Sequence, residues 1–225
     1  ICEARTKSCY HYAEKYRINY LMLYNAFKLI KEVSLHSFKP HLKEVVEDYV
    51  ESTYMIDTYY RKFYYFMDKI GMGENVEKIK ELVENIYTNK YLTDFACKWN
   101  QTLTDELYNT YPDMRQEDFY GTYVKPFMRE DGRDGRVIVI ISDGMRYECA
   151  RELLDNLDLD EKCDAKISHM LSVLPSETTL GMASLLPHKE IGVDENYNIT
   201  VDGMHCGNST AERQKILQAA IPRSA

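Results

Sequence analysis

No long apolar run is present. The longest purely apolar stretch, Val137 to Ile141, falls far short of the roughly 20 residues that a transmembrane helix requires, so no membrane partner is expected. A secretory signal is missing as well, because the start, Ile1-Cys2-Glu3-Ala4-Arg5, is charged and has no apolar run behind it. There is no initiator Met, and with the abrupt end at Arg223-Ser224-Ala225 this leads us to expect a piece of a longer chain. The six cysteines (Cys2, Cys9, Cys97, Cys149, Cys163, Cys206) form no CxxC pair and no regular spacing. They are read as reduced, buried thiols of a cytoplasmic protein. Glycosylation-type triplets at Asn100, Asn198 and Asn208 carry no weight without a secretory signal. An excess of basic charge is lacking too: the formal net charge is −8. This argues against a whole-surface grip on DNA, which depends on neutralising phosphates with Lys and Arg, although a local basic patch or a bound metal would override it. No internal repeat or low-complexity tract occurs.

What is present fits a folded chain: 44% hydrophobic and 28% charged residues over 225 positions, enough for one large or two small units. Of the 19 tyrosines, 17 lie between Tyr10 and Tyr123, while eight of the 10 glycines lie from Gly121 onward. The change predicts a tyrosine-rich helical domain over 1–125 and an α/β core over 126–225. In the first part apolar and aromatic residues return every three or four positions, as in Val46, Tyr49, Ile56, Tyr60, Phe63, Met67 and Ile70. Gly71-Met72-Gly73 ends that helix. A second stripe runs through Val76, Ile79, Leu82, Val83, Ile86 and Tyr87, then Leu92, Phe95, Ala96 and Trp99, with Asn89 as a kink. An earlier helix is expected over 10–33, broken at Ser34 to Pro40. Such an aromatic stripe could stack single-stranded bases; a bundle core or a docking surface is the plainer account, since Glu44, Glu47, Asp48 and Glu51 offset the basic residues.

After a loop at Asp131 to Gly135 the pattern becomes α/β. Arg136 to Ser142 is a short β-branched run of the kind buried on both faces of a parallel sheet. A helix with apolar positions Met145, Cys149, Leu153, Leu154 and Leu157 follows, ended by Asn156 to Asp160. Then come a second strand over 165–171, a helix over 178–186, a strand or hairpin over 198–202 and a last helix over 210–220. Asp155, Asp158, Asp160 and Asp164 fail the calcium-loop template and are read as a solvated turn.

Two elements carry chemistry. In open α/β sheets ligands gather beyond the carboxyl ends of the strands, so Asp143, emerging there before Gly144, is placed to meet one. An ionised carboxylate suits Zn²⁺, Mg²⁺ or Mn²⁺; the alternative is that Asp143 caps the helix beginning near Met145. The second element is Leu174 to His188, where Pro175 closes a strand and Ser176, Thr178 and Thr179 sit at a helix entry. Backbone N–H groups at such an entry favour an anion, and a Thr hydroxyl beside a metal can become a nucleophile. Ordinary N-capping is again the alternative.

Together and in order, about 35 residues apart, the runs VIVIISDGMRYECARELL and LPSETTLGMASLLPH closely resemble the core motifs of PglZ proteins. That family belongs to the alkaline-phosphatase superfamily, and the likeness is strongest to the type A component of BREX phage defence. YYRKFYYFMDKI and ELVENIYTNKYLTDFACKWN resemble the helical region that precedes that core, so the likeness spans most of residues 45–190. The resemblance implies an alkaline-phosphatase-like parallel sheet, with Asp143 a metal ligand and Thr178 both the nucleophile, in the arrangement P-x-x-T, and a metal neighbour. Thr179 is the fallback catalytic residue. Gly144 departs from the Ala more usual there. The family completes its divalent metal site with later Asp and His ligands, including an Asp-His-Gly stretch that this sequence lacks; Asp194, Asp202, His188 and His205 stand as candidate substitutes. The implied function is a metal-dependent phosphatase or phosphodiesterase, with nuclease action among the candidates, acting with other BREX components and with DNA as a candidate partner. The piece by itself is expected to be inactive, to bind no metal on its own, and to associate with copies of itself through unpaired sheet edges. The alternative is a non-catalytic scaffold of a defence complex whose tyrosine-rich helices are the working surface.

Overall fold

Between Arg17 and Leu35 apolar residues return every three or four positions, and the chain responds with a 19-residue helix whose buried line includes Met22, Ala26, Leu29 and Val33. The computed structural model describes residues 1–8, 10–71, 73–102, 115–128 and 137–221. Contacts divide the chain into two units, Ile1–Leu107 with Met145–Ile167, and Tyr108–Gly144 with Ser168–Ala225.

The first unit opens with α1 (Cys2–Thr6), α2 (His11–Lys15) and the long α3 (Arg17–Leu35). After the break expected before Pro40, α4 (Leu42–Asp48) runs through a π-helical turn, Tyr49–Thr53, into α5 (Tyr54–Ile70). One inserted residue rotates a helix face by about 100°. Leu42 and Val45 are therefore buried before the turn and Ile56, Phe63 and Met67 after it, which is why Val45 faces inward in place of the expected Val46. Gly71 closes α5 in a left-handed conformation, φ 83°, with its N–H donating to the Met67 carbonyl at 3.1 Å. Next come α6 (Glu74–Glu84), a second π-helical stretch at Asn85–Leu92, which holds the expected kink residue Asn89, and α7 (Thr93–Thr102). Val83, Tyr87 and Tyr91 complete the core with Phe63 and Leu29.

The helix after the Asp143 motif, α8 (Tyr147–Leu157), packs on α5 in this unit. Its contact combines charged groups with the Tyr147 ring. The buried Asp57 accepts hydrogen bonds from the Tyr49 hydroxyl at 2.6 Å and the Tyr87 hydroxyl at 2.8 Å, and Arg146 Nη2 lies 3.3 Å from its Oδ2. Burial, reinforced by the Asp57 carboxylate, pushes the Tyr49 phenol upward. Glu148, whose side chain is 0% exposed, lies between Arg61 Nε at 3.5 Å and Arg146 Nε at 3.7 Å. Arg61 and Lys62 also pair with Glu152.

The second unit contains a short helix, α9 (Thr178–Ser184), a three-stranded antiparallel sheet of β1 (Ile191–Val193), β2 (Ile199–Val201) and β3 (Met204–His205), and α10 (Thr210–Ala220). In register, Ile191 pairs with Val201 and Val201 with Met204. Asp202 and Gly203 make the tight β2–β3 turn, both at positive φ (48° and 78°), as a two-residue hairpin requires. Ala183, Leu186, Val201, Cys206 and Ile216 form the core.

The two expected parallel strands are not formed among the described residues. Residues 137–142 carry no strand, with Ile138 75% and Ile140 86% exposed, and over 165–171 there is a single parallel bridge, Arg115 to Leu171. A parallel strand needs at least one neighbour to pair its N–H and C=O groups and layers on its faces. Among the described residues, 137–142 make no such pairing. The expected loop at 131–135 lies outside the described residues. The thiols are free as expected, but Cys97 and Cys163 are exposed while Cys206 is buried; Cys9 lies outside the described residues.

Candidate active site

Asp143 and Gly144 form a turn, Gly144 at φ 74°. The Asp143 side chain is exposed and makes no hydrogen bond or ion pair with a described residue. It does not cap the next helix, which opens on Arg146 without a side-chain cap bond.

The second element starts with Glu177, the N-cap of α9. Its carboxylate accepts from the Leu180 N–H at 3.2 Å and the Thr179 hydroxyl at 2.8 Å. Hydrogen bonds from Thr179, backbone first and then side chain, hold the Glu177 carboxyl below its usual range. The Glu177 carboxylate thus stands where an anion was expected to meet this helix entry, and α9 has only seven residues. Thr179 Oγ1 also lies 3.3 Å from Asn208 Oδ1. A hydroxyl has one proton, which the shorter contact assigns to Glu177. Thr178, one residue earlier, is exposed, and its hydroxyl makes no hydrogen bond with a described residue.

The seat of α9 is set by a residue that sequence reasoning passed over. The Gln116 side chain donates to the Gly181 carbonyl at 3.0 Å and accepts from the Val173 N–H at 3.2 Å, while its backbone N–H reaches the Leu171 carbonyl at 2.9 Å. A side chain at Gly181 would press on the Gln116 amide, 3.4 Å from an added Cβ. Glu177 and Asn208 were also missed. Glu177 carries a local signal, an acidic residue at a helix entry; Gln116 carries none, because its partners are 57 and 65 residues away.

The candidate substitute ligands are engaged elsewhere. Asp194 accepts from the Asn196 and Asn198 N–H groups, both at 2.8 Å, and shapes the β1–β2 turn. Asp202 accepts from the Lys189 and Glu190 N–H groups, both at 2.9 Å. His188 Nδ1 is 2.7 Å from the Leu186 carbonyl, and His205 Nδ1 is 3.3 Å from Glu212. Among the described residues no group of three or more His, Cys, Asp or Glu could hold a metal ion. A divalent cation needs four to eight donors, and Asp143 with Thr178 offers too few, with no hydrogen bond joining them. These residues alone do not fit the metal that the family resemblance implies.

The tyrosine-rich stripe is largely engaged internally. Besides the Asp57 pair, Tyr60 donates to Glu84 at 2.7 Å and Tyr64 donates to the same carboxylate. The Tyr60 ring stacks on Tyr87 at 3.7 Å between centroids. No helix among the described residues is long and apolar enough to cross a membrane.

The family described as the BREX system PglZ alkaline phosphatase-like domain matches residues 119–225. The chain is 37% identical over 215 residues to the alkaline phosphatase-like protein PglZ of Bacillus cereus (strain H3081.97), an alignment covering 92% of this chain and 24% of that protein. It is 34% identical over 149 residues to the alkaline phosphatase-like protein BrxZ of Escherichia coli O9:H4 (strain HS), covering 64% and 17%. The chain therefore spans about a quarter or less of the length of these curated relatives. No solved structure matches. With the family's domain matched over 119–225 and relatives aligned across most of its length, this chain belongs to the PglZ family of BREX alkaline-phosphatase-like proteins.

Proposed function

We propose that the chain contributes the opening part of a phosphoester hydrolase of BREX anti-phage defence, with Thr178 as its nucleophile. One observation carries the choice of residue. Of the two adjacent threonines, Thr179 has its proton committed to Glu177 at 2.8 Å, whereas the Thr178 hydroxyl is exposed and unbonded among the described residues. In this reading Thr178 Oγ1 gives up its proton to solvent and forms the new bond to phosphorus as the bond to the leaving oxygen breaks; the leaving group takes up a proton and departs as an alcohol, and water then cleaves the phosphothreonine bond and restores the hydroxyl. Asp143 is proposed as one ligand of a divalent cation whose other ligands lie outside the described residues. The run 137–141 is proposed as a strand of a parallel core completed by further strands, with residues 1–125 as the helical domain and 126–225 as part of that core. Further proposals are a cytoplasmic site of action, other BREX components as partners, DNA as a candidate substrate, and an inactive isolated piece that self-associates through its unpaired edges.

The test is hydrolysis of a chromogenic phosphomonoester and phosphodiester by the full-length protein with added Zn²⁺, Mg²⁺ or Mn²⁺. Thr178→Ala and Asp143→Ala should each abolish the metal-dependent rate. Unchanged rates in both would overturn the assignment.

A second reading, a non-catalytic scaffold, draws on the engagement of Asp194, Asp202, His188 and His205 with other partners. It predicts that the same two variants leave defence intact in cells, whereas the hydrolase reading predicts its loss.

A further inference from the structure

The motif that begins with Asp143 continues as Gly144-Met145-Arg146-Tyr147-Glu148, and the proposed chemistry uses only its first residue. The next three polar side chains all turn into the helical unit. Arg146 reaches Asp57 and also donates to the Tyr87 hydroxyl at 3.1 Å. Tyr147 donates to the Val50 carbonyl at 3.3 Å and packs edge-on against Tyr54, 5.6 Å between centroids. Glu148 is completely buried between Arg61 and Arg146.

We propose that Arg146 and Glu148 are positioning residues that plug the start of α8 into a charged socket built by Asp57, Arg61, Tyr49 and Tyr87, and so fix the chain directly after the Asp143-Gly144 turn. The socket residues lie outside the 119–225 family match. The helical region is then part of the support of the PglZ core motif rather than an appended module. This inference does not depend on the hydrolase reading.

Three physical points support it. First, the acids are buried although the arginines are partly solvated: the side chains of Asp57 and Glu148 are 6% and 0% exposed, those of Arg61 and Arg146 36% and 50%, so these pairs are screened less than fully exposed ones. Removing one partner leaves a buried charge uncompensated, which is strongly destabilising. Second, the arrangement is reciprocal. Two carboxylates and two guanidinium groups alternate, with Arg146 touching both acids and Glu148 touching both arginines. Burial draws the Arg146 guanidinium downward, but Tyr87, Asp57 and Glu148 outweigh it and hold it above its usual range. Glu148 Oε2 and Arg61 Nε make no hydrogen bond with a described residue, so this pair is held by charge at 3.5 Å rather than by hydrogen-bond geometry. Third, Tyr147 adds its hydrogen bond to the Val50 carbonyl at 3.3 Å and its edge-on contact with Tyr54, so three successive side chains hold the start of α8 within its own unit.

The test is hydrogen–deuterium exchange of the full-length protein, comparing residues 143–157 with α3, which lies in the same unit but makes no hydrogen bond or ion pair with the socket residues. Arg146→Gln, Asp57→Asn and Glu148→Gln should each raise exchange over 143–157 by about tenfold or more while leaving α3 within about twofold. The double variant Asp57→Asn with Arg146→Gln should rise no further than the worse of its singles, because the two residues form one link. Arg146→Lys keeps the charge but loses the planar fork. It should fall between wild type and Arg146→Gln, and it serves if Arg146→Gln does not fold. Unchanged exchange over 143–157, an equal rise in α3, or full additivity in the double variant would each overturn the proposal.

Discussion

Arg146 Nη2 lies 3.3 Å from Asp57 Oδ2, tying the entry of α8 to the first turn of α5 through a carboxylate that two tyrosine hydroxyls also hold. Because Asp57 is buried, its loss leaves the Tyr49 and Tyr87 hydroxyls without their acceptor and Arg146 without one of its two carboxylates. Asp57→Ala should cost about 3 kcal/mol in denaturant unfolding, whereas replacing both partners by apolar residues, Asp57→Leu with Arg146→Met, should cost less than Asp57→Ala alone. A double variant weaker than the single would contradict this.

Gln116 joins the 171–173 segment to α9 with three hydrogen bonds, two of them from its side chain. Gln116→Ala should lower stability by about 1–3 kcal/mol, since it removes two bonds and leaves the partly buried Val173 N–H and Gly181 carbonyl short of a partner. Thermal unfolding followed by circular dichroism checks it. An unchanged midpoint would show that the segment and α9 hold together without this residue.

The cap of α9 should respond to acid. The Glu177 carboxyl is held below its usual value of 4.5, first by the Thr179 backbone N–H and then by its hydroxyl. Its stabilising effect is complete above pH 4.5 and is lost as pH falls through the lower folded value. The protection factor of the Leu180 amide, its exchange relative to the intrinsic rate at the same pH, should therefore fall on acidification below pH 4.5, and Glu177→Gln should remove that response. A pH-independent Leu180 protection factor in the wild type would contradict the cap.

His36 should make the helical unit sensitive to a higher pH window. Burial lowers its pKa from 6.5, opposed by Asp48, and its Nε2 is buried without a hydrogen bond to a described residue. The unfolded chain binds the proton more readily than the folded one. Stability is therefore complete above pH 6.5 and declines as pH falls through the lower folded value. Melting curves between pH 7.5 and pH 5, about one unit above and below the relevant range, should show a smaller drop for His36→Gln than for the wild type. An equal drop would place the sensitivity elsewhere.

Features whose causes are local were legible in the sequence. Asp202-Gly203 specifies a tight turn by its own backbone preferences, and the structure has a hairpin there; Gly71 ends α5 for the same reason. The apolar line of α3 and the extent of α10, Thr210–Ala220, follow from helical spacing. Features with distant causes were not legible. The π-helical turn at Tyr49–Thr53 shifts the buried face by one residue, and no composition signal marks it. The β-branched run at 137–141 has the composition of a buried strand, but composition cannot supply the neighbours that would pair it. Around the candidate site, Thr178 and Thr179 look alike in sequence; Glu177, which holds one hydroxyl and leaves the other, separates them only in three dimensions.

The most direct test of the account is steady-state phosphoester hydrolysis by the full-length protein with Thr178→Ser, Thr178→Ala and Thr179→Ala. The serine variant keeps a hydroxyl at the attacking position and should retain activity, while Thr178→Ala should lose about a hundredfold or more in kcat/KM. Thr179→Ala, which removes the contacts with Glu177 and Asn208, should lose less than Thr178→Ala. A Thr178→Ala enzyme as active as the wild type, or a Thr179→Ala enzyme that alone is inert, would contradict the assignment of Thr178 as nucleophile.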